Sequence, residues 1–185
     1  MSKAILMSIK PKWCELIASG KKTVEVRKTR PKLETPFKVY IYATEPRSKN
    51  DLGLCLDNGK VGLVYRWNYD YARKHKMPIL SGKVIGEFVC NAIISHCEMA
   101  NADIAEIQGC IKREKLLEYS NGKELFGWHI SDLVIYDKPR ELREFYHACT
   151  QPSGTDCAIC LDRAVQKCWQ ITRPPQSWCY VEEGR

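Results

Sequence analysis

Short segments rich in β-branched and aromatic residues, each closed by glycine, proline or a run of charge, restrict this chain to a strand-dominated architecture. They are AILMSI (4–9), TVEVRK (23–28), FKVYIYAT (37–44), GKVIGEFVCNAII (82–94) and FGWHISDLVIYD (126–137), with QSWCYVEE closing the chain after Pro174-Pro175. Helical periodicity is scarcer. PKWCELIASG has a proline suited to a first turn, Trp13, Leu16 and Ile17 on one stripe, and Gly20 placed as a C-terminal cap. Residues 103–122 read as helical in part despite Gly109 and stop at Asn121-Gly122, and LREFYHAC begins as a short helix. Pro139 is expected to end the strand before it. The predicted class is α+β, mainly β: a small β-barrel or strongly curved sheet covered by one or two helices.

The chain's 185 residues, 44% hydrophobic, suit a single domain spanning 1–185 rather than two. Residues 45–81 mix Pro, Asn, Gly and charges and read as an insertion, with GKVGLVYRW as a strand and DYARKHKMPILSG as a basic loop or short helix. No apolar run spans a bilayer, and the opening MSKAILMSIK is interrupted by Pro11 and Lys12 too soon for a secretory core. A cytoplasmic protein without a membrane partner is expected. Lys and Arg exceed Asp and Glu by 29 to 22, which favours an anionic partner such as nucleic acid without requiring one.

Cys14, Cys55, Cys90, Cys97 and Cys110 lie scattered among apolar residues and read as small buried thiols. By contrast, Cys149, Cys157, Cys160 and Cys168 have the spacing C-x7-C-x2-C-x7-C. Two thiolates two residues apart can share one zinc, and the outer pair would complete a tetrahedron, so residues 147–170 are expected to form a Cys-rich structural zinc knuckle before the last strand. His147 or Cys179 would be substitute ligands; free thiols and a redox CxxC are the alternatives. A site of four protein ligands leaves no position for water and adds no hydrolytic chemistry.

The strand GKKTVEVRK, residues 20–28, sends Val24 and Val26 to one face and Thr23, Glu25 and Arg27 to the other. An ordinary solvated face with a surface ion pair would explain that pattern. The helix closing at Gly20 also delivers Lys21 and Lys22 to the same place, however, so cations and one carboxylate gather at one mouth. Lysine and arginine would meet a phosphate there, and Glu25 would orient the arginine or accept from a base amino group. If these residues floor a ligand cleft, Glu25→Ala and Arg27→Ala are expected to weaken binding without unfolding the chain, and binding should fade as salt rises.

Gly20, Lys22, Glu25 and Arg27 carry the pattern G-x-K-x-x-E-x-R, which resembles the signature of the ASCH domain, a family with a PUA-like β-barrel fold. SIKPKWCELIASG resembles that family's opening strand and helix, and GKVIGEFVCNAI and RPPQSWCYV its later strands, particularly in bacterial and prophage variants. The resemblance covers most of the chain outside 45–81 and 147–170. It implies a cleft beside the helix that takes RNA, a nucleotide or a modified nucleoside, floored by Lys22, Glu25 and Arg27 and joined by Lys10, Ser177 and Trp178.

Catalysis is the competing expectation. Some small ASCH-like proteins hydrolyse N4-acetylcytidine with a lysine at the Lys22 position and a nucleophilic threonine three residues later, where this chain has Glu25. A carboxylate would activate water as a general base instead, so Lys22 and Glu25 are the catalytic candidates; Thr23 is out of register and Glu106 aligns only loosely with the family's later glutamate. Ribonuclease activity, also attributed to ASCH proteins, would use Lys22. His75, His96, His129 and His147 lie far apart in sequence and read as structural. YRWNYDYARKHK (65–76) interleaves aromatic and basic residues: as a strand it would pack Tyr65, Trp67, Tyr69 and Tyr71 inward, and otherwise it would offer stacking surfaces to bases. An adaptor binding a protein through this segment is the third reading.

Overall fold

The computed structural model describes residues 2–95, 98, 103–148 and 169–183. Its strands are β1 (Lys3–Ile9), β2 (Val24–Arg27), β3 (Phe37–Ala43), β4 (Leu52–Asp57), β5 (Lys60–Tyr65), β6 (Val84–Ile94), β7 (Phe126–Arg140) and β8 (Trp178–Glu182). Helices α1 (Pro11–Ala18), α2 (Tyr69–Lys74) and α3 (Arg113–Ser120) accompany them, with a π-helical turn at Asp103–Gln108. Six strands form one curled sheet in the order β2-β7-β6-β3-β1-β8, and β4-β5 form a separate hairpin. The α+β, mainly β class expected from the sequence, a small barrel or strongly curved sheet with few helices, is the fold observed, as a curled six-stranded half-barrel.

Helix α1 starts with Pro11 in its first turn and ends before Gly20, whose φ of 74° is left-handed. Its buried stripe is Pro11, Cys14 and Ile17, with Trp13 and Leu16 at the margins. The sheet's concave face packs Ile5, Met7, Ile9, Val39, Ile41, Phe88 and Trp128 against that stripe. Its other face carries a second core of Ala4, Leu6, Tyr40, Val84, Phe145 and Val181. Strand β1 is thus buried on both sides, which is why AILMSI is continuously apolar instead of alternating.

Some segments depart from expectation. Strand β7 runs through Pro139 to Arg140; the β6–β7 register shifts between Val84 and Gly86, and a proline without a donor is tolerated at such an end. Among the described residues of LREFYHAC, 142–148, the helical part is a 3₁₀ turn, Leu142–Glu144. Residues 65–76 do not continue as one strand: β5 ends at Tyr65, a 3₁₀ turn covers Arg66–Asn68, and α2 follows. The period changes from two to 3.6 within the segment, so the alternating aromatics no longer share a face. Tyr65, Trp67 and Tyr71 are exposed, and inward packing of all four is incorrect. Tyr69 lies across β4 at Gly53, where a Cβ would stand 1.8 Å from its hydroxyl oxygen.

On the convex side Lys38, Glu87 and Tyr136 bind one another across three strands. Lys38 Nζ is 2.8 Å from Glu87 Oε1, and the Tyr136 hydroxyl donates to Glu87 Oε2 at 2.5 Å. Burial opposes ionisation of Glu87, but the bonds from Lys38 and Tyr136 outweigh it and hold the carboxyl below its ordinary range. A depressed carboxyl stabilises the fold above its unfolded pKa, and the contribution is lost as pH falls through the folded one. Glu87→Gln should therefore lower stability near neutrality by about 1 kcal/mol, the site being partly solvated. The difference from wild type should shrink below about pH 4.5, the ordinary carboxyl value. Urea midpoints at pH 7 and pH 3 check this; an equal difference at both would refute it.

Candidate functional site

Strands β2 and β8 are the two edges of the six-stranded sheet, with β1 next to β8. The sheet nevertheless curls until β2 faces β1 and β8 across a seam, and the seam is bridged by side chains rather than by ladder hydrogen bonds. Arg27 Nη2 donates to the Ser8 carbonyl at 2.7 Å, and Arg27 Nη1 lies 3.4 Å from Ser177 Oγ. Trp178 Nε1 donates to Thr29 Oγ1 at 3.0 Å, and the Tyr180 hydroxyl accepts from the Lys32 amide at 2.8 Å. Short β2 cannot complete a barrel by backbone pairing, so its polar row supplies the closure.

That row is buried. Lys22, Glu25 and Arg27 are 1%, 5% and 8% exposed, which overturns the solvated-face alternative. Val24 and Val26 pack outward under the π-helical turn and α3, against Ala105, Leu116 and Leu125. Glu25 pairs in register with Trp128, so its side chain shares the concave face with that ring. The Glu25 carboxylate bridges two cations, with Oε1 3.0 Å from Arg27 Nη2 and Oε2 3.4 Å from Lys22 Nζ. Lys22 also donates to the Gly109 carbonyl at 2.5 Å, and its ammonium sits 5.0 Å from the Trp13 ring centroid.

Two cations share one carboxylate, and among the described residues no second carboxylate pairs with either. Three neighbouring polar atoms, Glu25 Oε2, Arg27 Nε and Trp128 Nε1, are buried without a hydrogen bond among the described residues. Buried polar atoms are nearly always bonded, and a buried unbalanced charge is costly. Here one acceptor, two donors and a surplus positive charge belong to one buried group around β2 and Trp128, whose ring lies 5.7 Å from that of Trp178. The arrangement has the donors, acceptor and flat apolar walls to hold a planar polar group together with an anion.

Of the residues singled out from sequence, Lys22, Glu25, Arg27, Ser177 and Trp178 come together, whereas Lys10 caps the start of α1 with its carbonyl and is exposed. Thr23 is half-buried, its backbone tied to Gln108 and Ile130. Glu106 is exposed and accepts from the Arg113 amide, outside the cluster. His129 bonds Asn91 at 2.7 Å through Nδ1, a cross-strand structural contact. Ser8, Gly109 and Trp13 escaped the sequence reading, as did Tyr119. Burial raises the Tyr119 pKa and the charges of Arg27 and Glu25 act on it in opposite directions, which places this protonated hydroxyl in the site's field.

Cys14, Cys55 and Cys90 are buried thiols as expected, and burial pushes Cys90 up to about 12. Cys110 is only half-buried. Cys97 and the expected zinc ligands Cys149, Cys157, Cys160 and Cys168 lie outside the described residues. Among the described residues no group of His, Cys, Asp and Glu is placed to hold a metal, and no helix is long and apolar enough to cross a membrane.

The model of the ASCH domain family matches residues 7–152, a stretch that includes Lys22, Glu25, Arg27 and Trp128 and runs through 45–81. No match was found among curated proteins. The fold is similar to the crystal structure of ASCH from Zymomonas mobilis, at 18% identity and a TM-score of 0.55, covering 97% of this chain and 88% of that one. Two single-substitution variants of that protein, also 18% identical, are similar as well. The tyrosine-to-phenylalanine variant gives a TM-score of 0.56 with 98% and 92% covered. The serine-to-alanine variant gives 0.54 with 97% and 89% covered. At such identity the likeness speaks for the fold alone. With the family model matched over most of its length, including the G-x-K-x-x-E-x-R strand, the chain belongs to the ASCH domain family.

Proposed function

We propose that the seam between β2 and β8 is a binding cleft for RNA, a nucleotide or a modified nucleoside, with Lys22, Glu25 and Arg27 as its floor. The observation that carries the reading is that Glu25 Oε2, Arg27 Nε and Trp128 Nε1 are all buried without a hydrogen bond among the described residues, in a group with one cation more than its carboxylate balances. A base amino group would donate to Glu25, a ring nitrogen or carbonyl would accept from Arg27 or Trp128, and a phosphate would offset the surplus charge. Trp178, half-buried at the rim, supplies a stacking face.

The test uses cytidine 5′-monophosphate and a short single-stranded RNA in calorimetric titrations. Arg27→Lys keeps a cation but loses the planar fork, and should weaken binding by about 10-fold or more with folding retained. Affinity should fall as salt rises, since a phosphate contact releases counterions. Absence of binding by wild type, or equal affinity in the variant, would refute the cleft.

The second reading is hydrolysis of N4-acetylcytidine-like nucleosides, favoured by the 3.4 Å approach of the Lys22 ammonium to the Glu25 carboxylate. Glu25 would take a proton from water while Lys22 stabilised the developing oxyanion. Deacetylation abolished by Lys22→Ala would establish it; binding without turnover leaves the passive cleft. Cleavage of the RNA would point to a ribonuclease, and neither binding nor turnover to an adaptor.

The C-x7-C-x2-C-x7-C run supports a structural zinc site on spacing alone. Purified chain should contain about one zinc per molecule by elemental analysis. Much less would remove the knuckle.

A further inference from the structure

The β4–β5 hairpin carries a surface that the seam cleft does not use. Leu63, Tyr65 and Trp67 are 37%, 47% and 60% exposed, a high value for large apolar side chains. The Tyr65 and Trp67 rings are stacked, centroids 5.8 Å apart and planes within 14° of each other. They form a flat ledge rather than two independent exposed groups.

The ledge is held in place. The Trp67 amide donates to the Lys49 carbonyl at 3.1 Å and the Arg66 amide to the Asp51 carbonyl at 3.0 Å, so the preceding loop fixes the 3₁₀ turn beneath the rings. Arg66 is held by a further bond to the Pro46 carbonyl. Two exposed aromatic rings kept parallel on a rigid turn have paid their ordering entropy before any partner arrives.

Charge identifies the partner. Residues 45–76 contain seven Lys and Arg against four Asp and Glu, in a chain of formal charge +7. A cleft of about 420 Å³ lined by Arg66, Arg73 and Lys83, and also by Glu45 and Asp70, opens from the same segment. Stacked exposed rings on a segment of net positive charge, with Arg66 between them in the chain, suit unpaired bases on a phosphate backbone. A duplex hides its base faces, and a second copy of this chain would bring like charge to like.

We infer that the Tyr65–Trp67 ledge, on its basic segment, is an accessory stacking site for single-stranded RNA, distinct from the seam cleft. The inference extends the RNA-binding reading of the proposed function but stands on different residues. Helix α1 lies between the two sites: it packs on the hairpin, and its Trp13 meets Lys22.

The experiment measures three affinities by fluorescence anisotropy and calorimetry: a labelled 12-nucleotide unstructured RNA, the same sequence as a duplex, and cytidine 5′-monophosphate. The variants are Tyr65→Ala/Trp67→Ala and Tyr65→Phe/Trp67→Phe. For the single strand the alanine pair should cost at least about fivefold and the phenylalanine pair should restore most of it. Duplex and mononucleotide affinities should stay within about twofold. Because both rings are exposed, unchanged melting temperatures are expected and exclude misfolding. The ledge is overturned if wild type does not bind the strand, or if the alanine pair binds it as wild type does. It is also overturned if phenylalanine fails to rescue, or if the alanine pair loses self-association instead. Failure of the mononucleotide to bind while the ledge effect persists would reject the seam cleft and leave the ledge standing.

Discussion

Glu25→Ala should strongly destabilise this protein rather than merely weaken a ligand. In the folded chain the Glu25 carboxylate is the counter-ion of both Lys22 and Arg27, at 3.4 and 3.0 Å, and all three are nearly inaccessible. Its removal leaves two like charges buried side by side, with only uncharged partners among the described residues: the Gly109 and Ser8 carbonyls, the Ser177 hydroxyl and the Trp13 ring. Breaking a buried pair by deleting one member costs about 3–5 kcal/mol, against a total stability of about 5–15 kcal/mol for a domain. A fall in melting temperature of roughly 10 °C or more is the expected reading. Alanine at 25 or 27, expected from the sequence to weaken a ligand in the cleft without unfolding the chain, is on this burial expected to cost stability as well, and shape-conserving variants are needed to probe binding. If charge imbalance is the cause, combining Glu25→Ala with Lys22→Met should recover part of the loss, a non-additivity that distant sites do not show. A Glu25→Ala melting temperature within about 2 °C of wild type would show the triad to be energetically idle.

Burial of the triad is also the feature that the sequence could not disclose. Alternation along β2 correctly assigned Glu25 and Arg27 to one face, but whether that face meets water depends on how far the sheet curls. The curl is set by residues remote in the chain: Ser8 and Ser177 meet Arg27 across sequence separations of 19 and 150. No local pattern reports such a closure. The strands β1, β3 and β6 were legible because both of their faces, or one complete face, are apolar. Strand β4, LGLCLD, was missed although a signal was present: Asn58 and Gly59, with φ of 48° and 76°, form the two-residue turn that marks a hairpin. The segment 65–76 misled for the opposite reason. Its alternating aromatics imitate a strand, but three of them are exposed because the backbone changes to helix after Tyr65. Pro139 was read as a stop because proline removes a ladder donor, a constraint that lapses at an irregular strand end.

Trp128→Ala carries the other large expected effect, and a companion variant divides its causes. Trp128 is fully buried, edge-on to Phe37 at 5.6 Å and tilted against Trp178 at 5.7 Å, so it joins the barrel core to the seam. Deleting a buried tryptophan side chain costs about 3–5 kcal/mol through lost burial and the cavity left behind. The damage should extend to the seam, because Trp178 loses the ring it leans on. Trp128→Phe is the informative comparison. It removes part of the volume but also the Nε1 donor, which has no partner among the described residues, and eliminating an unsatisfied buried donor offsets part of the lost packing. Its cost in chemical denaturation should therefore be about 1–2 kcal/mol, less than the missing volume alone implies. If the same donor serves a nucleotide, Trp128→Phe should weaken cytidine 5′-monophosphate by roughly 5- to 10-fold, a larger proportionate loss in binding than in stability. Trp128→Phe that costs as much stability as Trp128→Ala, with unaltered nucleotide affinity, would mean that the indole nitrogen is bonded within the fold and takes no part in a ligand site.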